Sequence, residues 1–178
     1  MARPTDSYEI SKSLMIFRNY APDYVMFSGW VGDEDSTFHG FRNAMTNIIH
    51  SSWNGYLSFG FDIGGYRDKE RNKLVFLRWA QTGALLPFME NGGSGIHRPW
   101  QYGEEAAKIY KKYVDIHYDL KPTLLTYGAI AYANKVSMIE PIAKRQSYTI
   151  SLSYPKSLGY LLCQNLLIFP IFSENGIA

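Results

Sequence analysis

The sequence predicts an α/β fold: the later strands and helices of a partial (β/α)8 TIM barrel, running into the start of a β-sandwich. Three observations carry this. Apolar runs rich in β-branched and aromatic residues end in polar, glycine-containing loops, and stretches of helical period follow those loops. Arg3, Asp33, Asp62 and Asn91 also fall roughly thirty residues apart, about the length of one βα unit.

The elements follow in order. Tyr24 to Val31 suits a buried strand and ends at Gly32-Asp33-Glu34-Asp35. Ser36 or Thr37 can cap a helix whose apolar face is Phe38, Phe41, Met45, Ile48 and Ile49. Trp53-Asn54-Gly55 turns the chain into a second strand over 56–61, which again ends in an acid and glycines, Asp62-Ile63-Gly64-Gly65. From Asp68 the helical period returns through Leu74, Leu77, Arg78 and Gln81, and the short apolar run 84–89 leads to Glu90-Asn91-Gly92-Gly93. A long helix covers Glu104 to Tyr118, and Leu120-Lys121-Pro122 breaks it before a further helix reaches Asn134, because proline lacks the N–H a helix interior needs. After Val136 the character turns to β: 147–153 alternates and Leu166 to Phe172 is apolar. The division expected is residues 1–138 for the barrel part and 139–178 for the beginning of the sandwich.

In a (β/α)8 barrel the C-terminal ends of the strands face one mouth, so the four spaced residues share a rim. A doubly wound sheet also aligns its strand ends, and periodicity alone leaves both architectures open.

Composition removes several function classes. A 178-residue chain with 46% hydrophobic and 19% charged residues forms a substantial core. The 18 Lys and Arg against 16 Asp and Glu give +2, scattered without a basic stripe, so no nucleic-acid partner is expected. Cys163 is the one cysteine, in an apolar run that suits a buried thiol rather than a disulfide or metal site. The four histidines lack metal-ligand spacing, and no Gly-x-Ser-x-Gly elbow or P-loop is present. No metal and no cofactor are expected. The stretch 161–172 is too short and too interrupted to span a bilayer, and no secretory signal opens the sequence. The compartment stays open, with a slight lean to the cytoplasm. Aromatic residues make 16% of the chain, a content that suits both sugar clefts and ordinary cores.

The wording of the strand ends carries the functional reading. In order come Arg3 in Ala-Arg-Pro, Ser28-Gly29-Trp30-Val31-Gly32-Asp33 with Ser36-Thr37-Phe38, and Phe61-Asp62-Ile63-Gly64-Gly65-Tyr66. Then follow Leu77-Arg78-Trp79-Ala80-Gln81-Thr82-Gly83-Ala84 with Pro87-Phe88, Arg98-Pro99-Trp100, and Tyr118-Asp119-Leu120-Lys121-Pro122. This ordered set resembles glycoside hydrolase family 31, the α-glucosidase and α-xylosidase family, over nearly the whole chain.

The resemblance implies a retaining α-glycosidase acting on an α-linked oligosaccharide or glycoside, without a cofactor. It makes Asp33 the general acid/base, a role that needs a carboxyl protonated near neutral pH, which desolvation by Trp30 and nearby acids favours. Arg3 matches the arginine that holds a sugar hydroxyl, and Asp62 matches the acid beside the glycone subsite. Two departures stand out. Where family members carry Arg-x-His, this chain reads Glu90-Asn91-Gly92-Gly93, so Glu90 and Asn91 are candidates for binding hydroxyls and His97 for reaching back from the following loop. The second carboxylate of a retaining pair, about 5 Å from the acid, lies in the family before the arginine motif, and neither Asp6 nor Asp23 has its wording. The sequence is therefore expected to be a fragment, inactive alone. The competing readings are a non-catalytic carbohydrate-binding or structural relic of the fold and an unrelated barrel lyase or isomerase.

Overall fold

The computed structural model describes residues 29–67, 72–94, 97–145 and 158–174. Strand β1, Gly29–Trp30, pairs in parallel with β2, Phe59–Gly60, with Gly29 opposite Phe59 and Trp30 opposite Gly60. Two isolated parallel bridges extend the pattern at the strand ends, Asp35 with Arg67 and Asp62 with Glu90. Three successive segments thus run side by side in one direction, as βα repeats require. The apolar run 84–89 does not form a strand of its own; parallel pairing is reached only at Glu90.

Helix α1, Phe38–Trp53, connects β1 to β2, and Thr37 caps it by accepting from the Gly40 amide at 3.0 Å. Of its expected apolar face, Phe41, Met45 and Ile48 are fully buried, Ile49 nearly so, and Phe38 packs at the margin. Helix α2, Lys73–Gly83, is capped by Asn72, whose side chain accepts from the Leu74 and Val75 amides and fixes the first turn. Trp79 on α2 stacks on Phe41 of α1 at 5.0 Å and meets Phe61 edge-on at 5.7 Å, so one aromatic cluster locks both helices to the second strand segment.

A 3-10 turn, Pro99–Tyr102, leads into α3, Glu104–Asn134. The expected break at Pro122 does not occur: one helix runs through it. Pro122 and Tyr118 are both exposed, so the Tyr118 carbonyl that loses its amide partner faces solvent, and the interruption is tolerated there as it would not be in a core.

After α3 the pairing changes sense. Strand β3, Ile139–Pro141, is followed by a short helix, α4, Ile142–Arg145, and then β4, Tyr160–Leu162, and β5, Leu166–Ile168, which form an antiparallel sheet in the order β3-β4-β5. The alternating segment 147–153 lies outside the described residues. The small sheet is tied to the parallel part through Met138, whose amide donates to Leu57 O at 2.8 Å and whose carbonyl accepts from the Cys163 amide at 2.9 Å. Ser52 of α1 also donates to Ile139 O. Cys163 is completely buried, as its apolar surroundings in the sequence suggest, and burial pushes its thiol up to about 11. Among the described residues no helix is long and apolar enough to cross a membrane.

Candidate active site

The candidate site forms where the parallel segments end. Trp30 is the last residue of β1, and its indole Nε1 donates to Asp62 Oδ2 at 2.8 Å. Asp62 lies just beyond β2, only 4% exposed. A carboxylate buried to that degree requires polar partners, and the indole is one of them. Asp62 pairs in parallel with Glu90, and the Ile63 amide donates to Glu90 O at 3.1 Å. Burial, and secondarily the Asp62 carboxylate, raise the Glu90 carboxyl above the usual glutamate range. Its Oε2 is buried without a hydrogen-bond partner among the described residues. Gly92 stands beside the Asp62 carboxylate: a Cβ there would lie 3.0 Å from Asp62 Oδ1, so the missing side chain leaves that oxygen room.

Asp33 follows Trp30 by three residues, half-buried on the loop between β1 and α1. That loop is held to the loop after β2 by backbone: the Tyr66 and Arg67 amides both donate to Glu34 O at 2.9 and 3.0 Å, and the Ser36 amide donates to Arg67 O at 2.9 Å. Asp35 meets Arg67 at 3.5 Å.

Asn91 and His97, both proposed from sequence as sugar contacts, meet each other. Asn91 Nδ2 donates to His97 O at 2.7 Å, and His97 Nδ1 lies 3.0 Å from Ile63 O. Trp30, Asp62, Glu90, Asn91 and His97 are thus joined in one network, while Arg3 lies outside the described residues.

Two further residues belong to this rim. Burial raises the Glu34 carboxyl against the opposing pull of Arg67 and an Asn43 hydrogen bond. The Tyr110 phenol on α3 is raised by burial and hydrogen-bonded to Asn91, with its ring stacked on Phe76 at 5.5 Å. Glu34 sits beside Asp33 in a run of acids that reads as an ordinary solvated loop, and no spacing links Tyr110 to Asn91, so neither carried a signal. Among the described residues no group of His, Cys, Asp and Glu gathers that could hold a metal ion.

Parallel strand ends bearing clustered carboxylates and an indole donor define the class: an α/β barrel segment with a polar site at its C-terminal rim. The model of the glycosyl hydrolases family 31 TIM-barrel domain matches residues 12–127, and the chain belongs to that family. Curated relatives include an alpha-xylosidase of Emericella nidulans, 28% identical over 149 residues that make 83% of this chain and 19% of the relative. Alpha-glucosidase 2 of Bacillus thermoamyloliquefaciens is 28% identical over 156 residues, 82% of this chain and 19% of the relative. This chain therefore spans about a fifth of the length of the relatives it matches. Among solved structures, a cycloalternan-degrading enzyme from Trueperella pyogenes superposes with a TM-score of 0.74 at 21% identity, over 82% of this chain and 22% of that one. A xylosidase from Aspergillus niger gives 0.73 at 19% identity, over 86% and 27%. These likenesses show the barrel fold.

Proposed function

We propose that this chain supplies the acid/base side of the active site of a retaining α-glycosidase that acts on an α-linked glycoside or oligosaccharide. The observation that carries the reading is the Trp30–Asp62–Glu90 arrangement at three adjoining parallel segments, in a chain of family 31. The names alpha-xylosidase and alpha-glucosidase borne by the relatives support the substrate class.

In this reading Asp33 donates its proton to the glycosidic oxygen as the bond to the anomeric carbon breaks, and a carboxylate nucleophile takes the anomeric carbon into a covalent intermediate. Asp33, now ionised, then removes a proton from water, which displaces the nucleophile and restores the anomeric configuration. Asp62, buried and oriented by Trp30, accepts a glycone hydroxyl. Glu90 presents its buried Oε2 to a second hydroxyl. Arg3 is proposed as a further hydroxyl ligand. Asn91 contributes at the edge of the glycone pocket, and His97 holds the loop behind it through the Asn91 amide. We further propose that the barrel part ends at residue 138, a division supported by the switch from parallel to antiparallel pairing at Ile139.

The nucleophile is proposed to lie outside these 178 residues, so the chain alone has no turnover. A panel of aryl α-glycosides, given both to this chain and to a reading frame extended through the earlier barrel strands, tests both statements. The extended protein hydrolyses at least one of them with retention, and the 178-residue chain none. Hydrolysis by the short chain that is abolished in Asp33→Ala overturns the missing-nucleophile proposal; an inert extended protein overturns the glycosidase reading.

A further inference from the structure

The geometry points to His97 as a positioning residue, one that clamps the turn after β2 to the segment around Glu90 and so fixes Asp62 and Glu90 relative to each other. The role bears on catalysis through the α-glycosidase reading above.

Three hydrogen bonds close a ring. The Ile63 amide donates to Glu90 O at 3.1 Å, Asn91 Nδ2 donates to His97 O at 2.7 Å, and His97 Nδ1 sits 3.0 Å from Ile63 O. Ile63 follows Asp62 and Asn91 follows Glu90, so the ring is built from the immediate neighbours of the two carboxylates. A backbone carbonyl only accepts, so Nδ1 carries the proton and, in the neutral imidazole, Nε2 is the lone-pair nitrogen. That nitrogen is buried without a hydrogen-bond partner among the described residues.

The sequence makes room for the ring. A Cβ on Gly93, whose φ is 129°, would come within 2.5 Å of His97 Nε2 and within 2.9 Å of the Tyr66 backbone. Glycine at 93 is therefore what lets the imidazole seat between the two loops. A sugar ligand role would turn a ring nitrogen toward the pocket. Here Nδ1 is engaged with Ile63 O and Nε2 is packed against Gly93, so His97 acts through Ile63 and Asp62.

Two substitutions separate these roles, because an asparagine amide reproduces the donor at the Nδ1 position and a glutamine amide reproduces the Nε2 position. In the protein that carries this segment, H97N keeps kcat/KM within about threefold of the parent, whereas H97Q loses roughly tenfold, about one hydrogen bond's worth. Hydrogen–deuterium exchange gives a readout independent of activity: protection of the Ile63 and Gly65 amides falls in H97Q and is retained in H97N. The reverse order, H97Q active and H97N impaired, assigns the role to Nε2 and overturns the inference, as does unchanged protection of those amides in both variants or an equal loss in both. An inert parent enzyme defeats the glycosidase reading, while the exchange measurement still decides the clamp.

Discussion

Trp30 Nε1 donates to Asp62 Oδ2 at 2.8 Å, so the ends of two neighbouring parallel strands are joined through side chains as well as through their backbone ladder. The indole gives a carboxylate that is 4% exposed a fixed donor and a fixed orientation.

Removing that donor while keeping an aromatic ring isolates it. Trp30→Phe leaves Asp62 buried with one partner fewer, and destabilisation of about 1–3 kcal/mol is expected. Urea unfolding measures it. A double-mutant cycle with Asp62→Asn should show coupling, and strict additivity would mean that the bond contributes nothing.

Glu90 gives a pH prediction of definite sign. Its folded carboxyl is raised by burial and by Asp62, so the native state holds more protons than the unfolded state between the ordinary glutamate range and the raised value. Stability from this group is full below the ordinary glutamate range and is lost as pH rises through the raised value. Glu90→Gln therefore raises the thermal midpoint at pH 7, by about 2 °C, and changes it less at pH 4. Equal shifts at both pH values would contradict the assigned protonation.

The loops after β1 and β2 approach closely at Gly65, whose φ is 82° and whose added Cβ would lie 2.9 Å from the backbone of Asp35 and Ser36. Gly65→Ala combines a left-handed backbone penalty with a backbone contact that cannot relax by rotating a side chain. A loss of about 2–4 kcal/mol is expected in denaturant unfolding.

Pro122 offers a change in the other direction. It lies inside α3 at an exposed position, so Pro122→Ala restores one helical amide without disturbing a core. A gain of about 2 kcal/mol is expected, below the full ~3 kcal/mol propensity difference because alanine frees the unfolded chain. Chemical denaturation of the two proteins checks it.

Much of this was legible beforehand, and the reason is local. The α1 face of Phe41, Met45, Ile48 and Ile49 repeats with helical period, and the acid-plus-glycine endings at 33 and 62 mark strand ends, so the parallel pairing of β1 with β2 followed from pattern. The unbroken α3 was not legible, because whether Pro122 breaks a helix depends on whether solvent can reach the Tyr118 carbonyl, a property of the fold. At the rim, Asp62 could be named from its place in the repeat, and Trp30 and Glu90 only from the wording of the strand ends. That Asn91 and His97 engage each other, and that Tyr110 of α3 supports Asn91, depends on how a loop folds back over its own strand end, which no spacing records.

The central claim is that Asp33 is the acid/base of a retaining α-glycosidase, and chemical rescue tests it most directly. In a reading frame that supplies the nucleophile, Asp33→Ala should hydrolyse aryl α-glycosides with good leaving groups far better than those with poor ones, because only the latter need the proton. Added azide should accelerate turnover and yield an α-glycosyl azide of retained configuration. Loss of activity that is the same for every leaving group, with no azide product, or activity unchanged from the parent, would contradict the assignment.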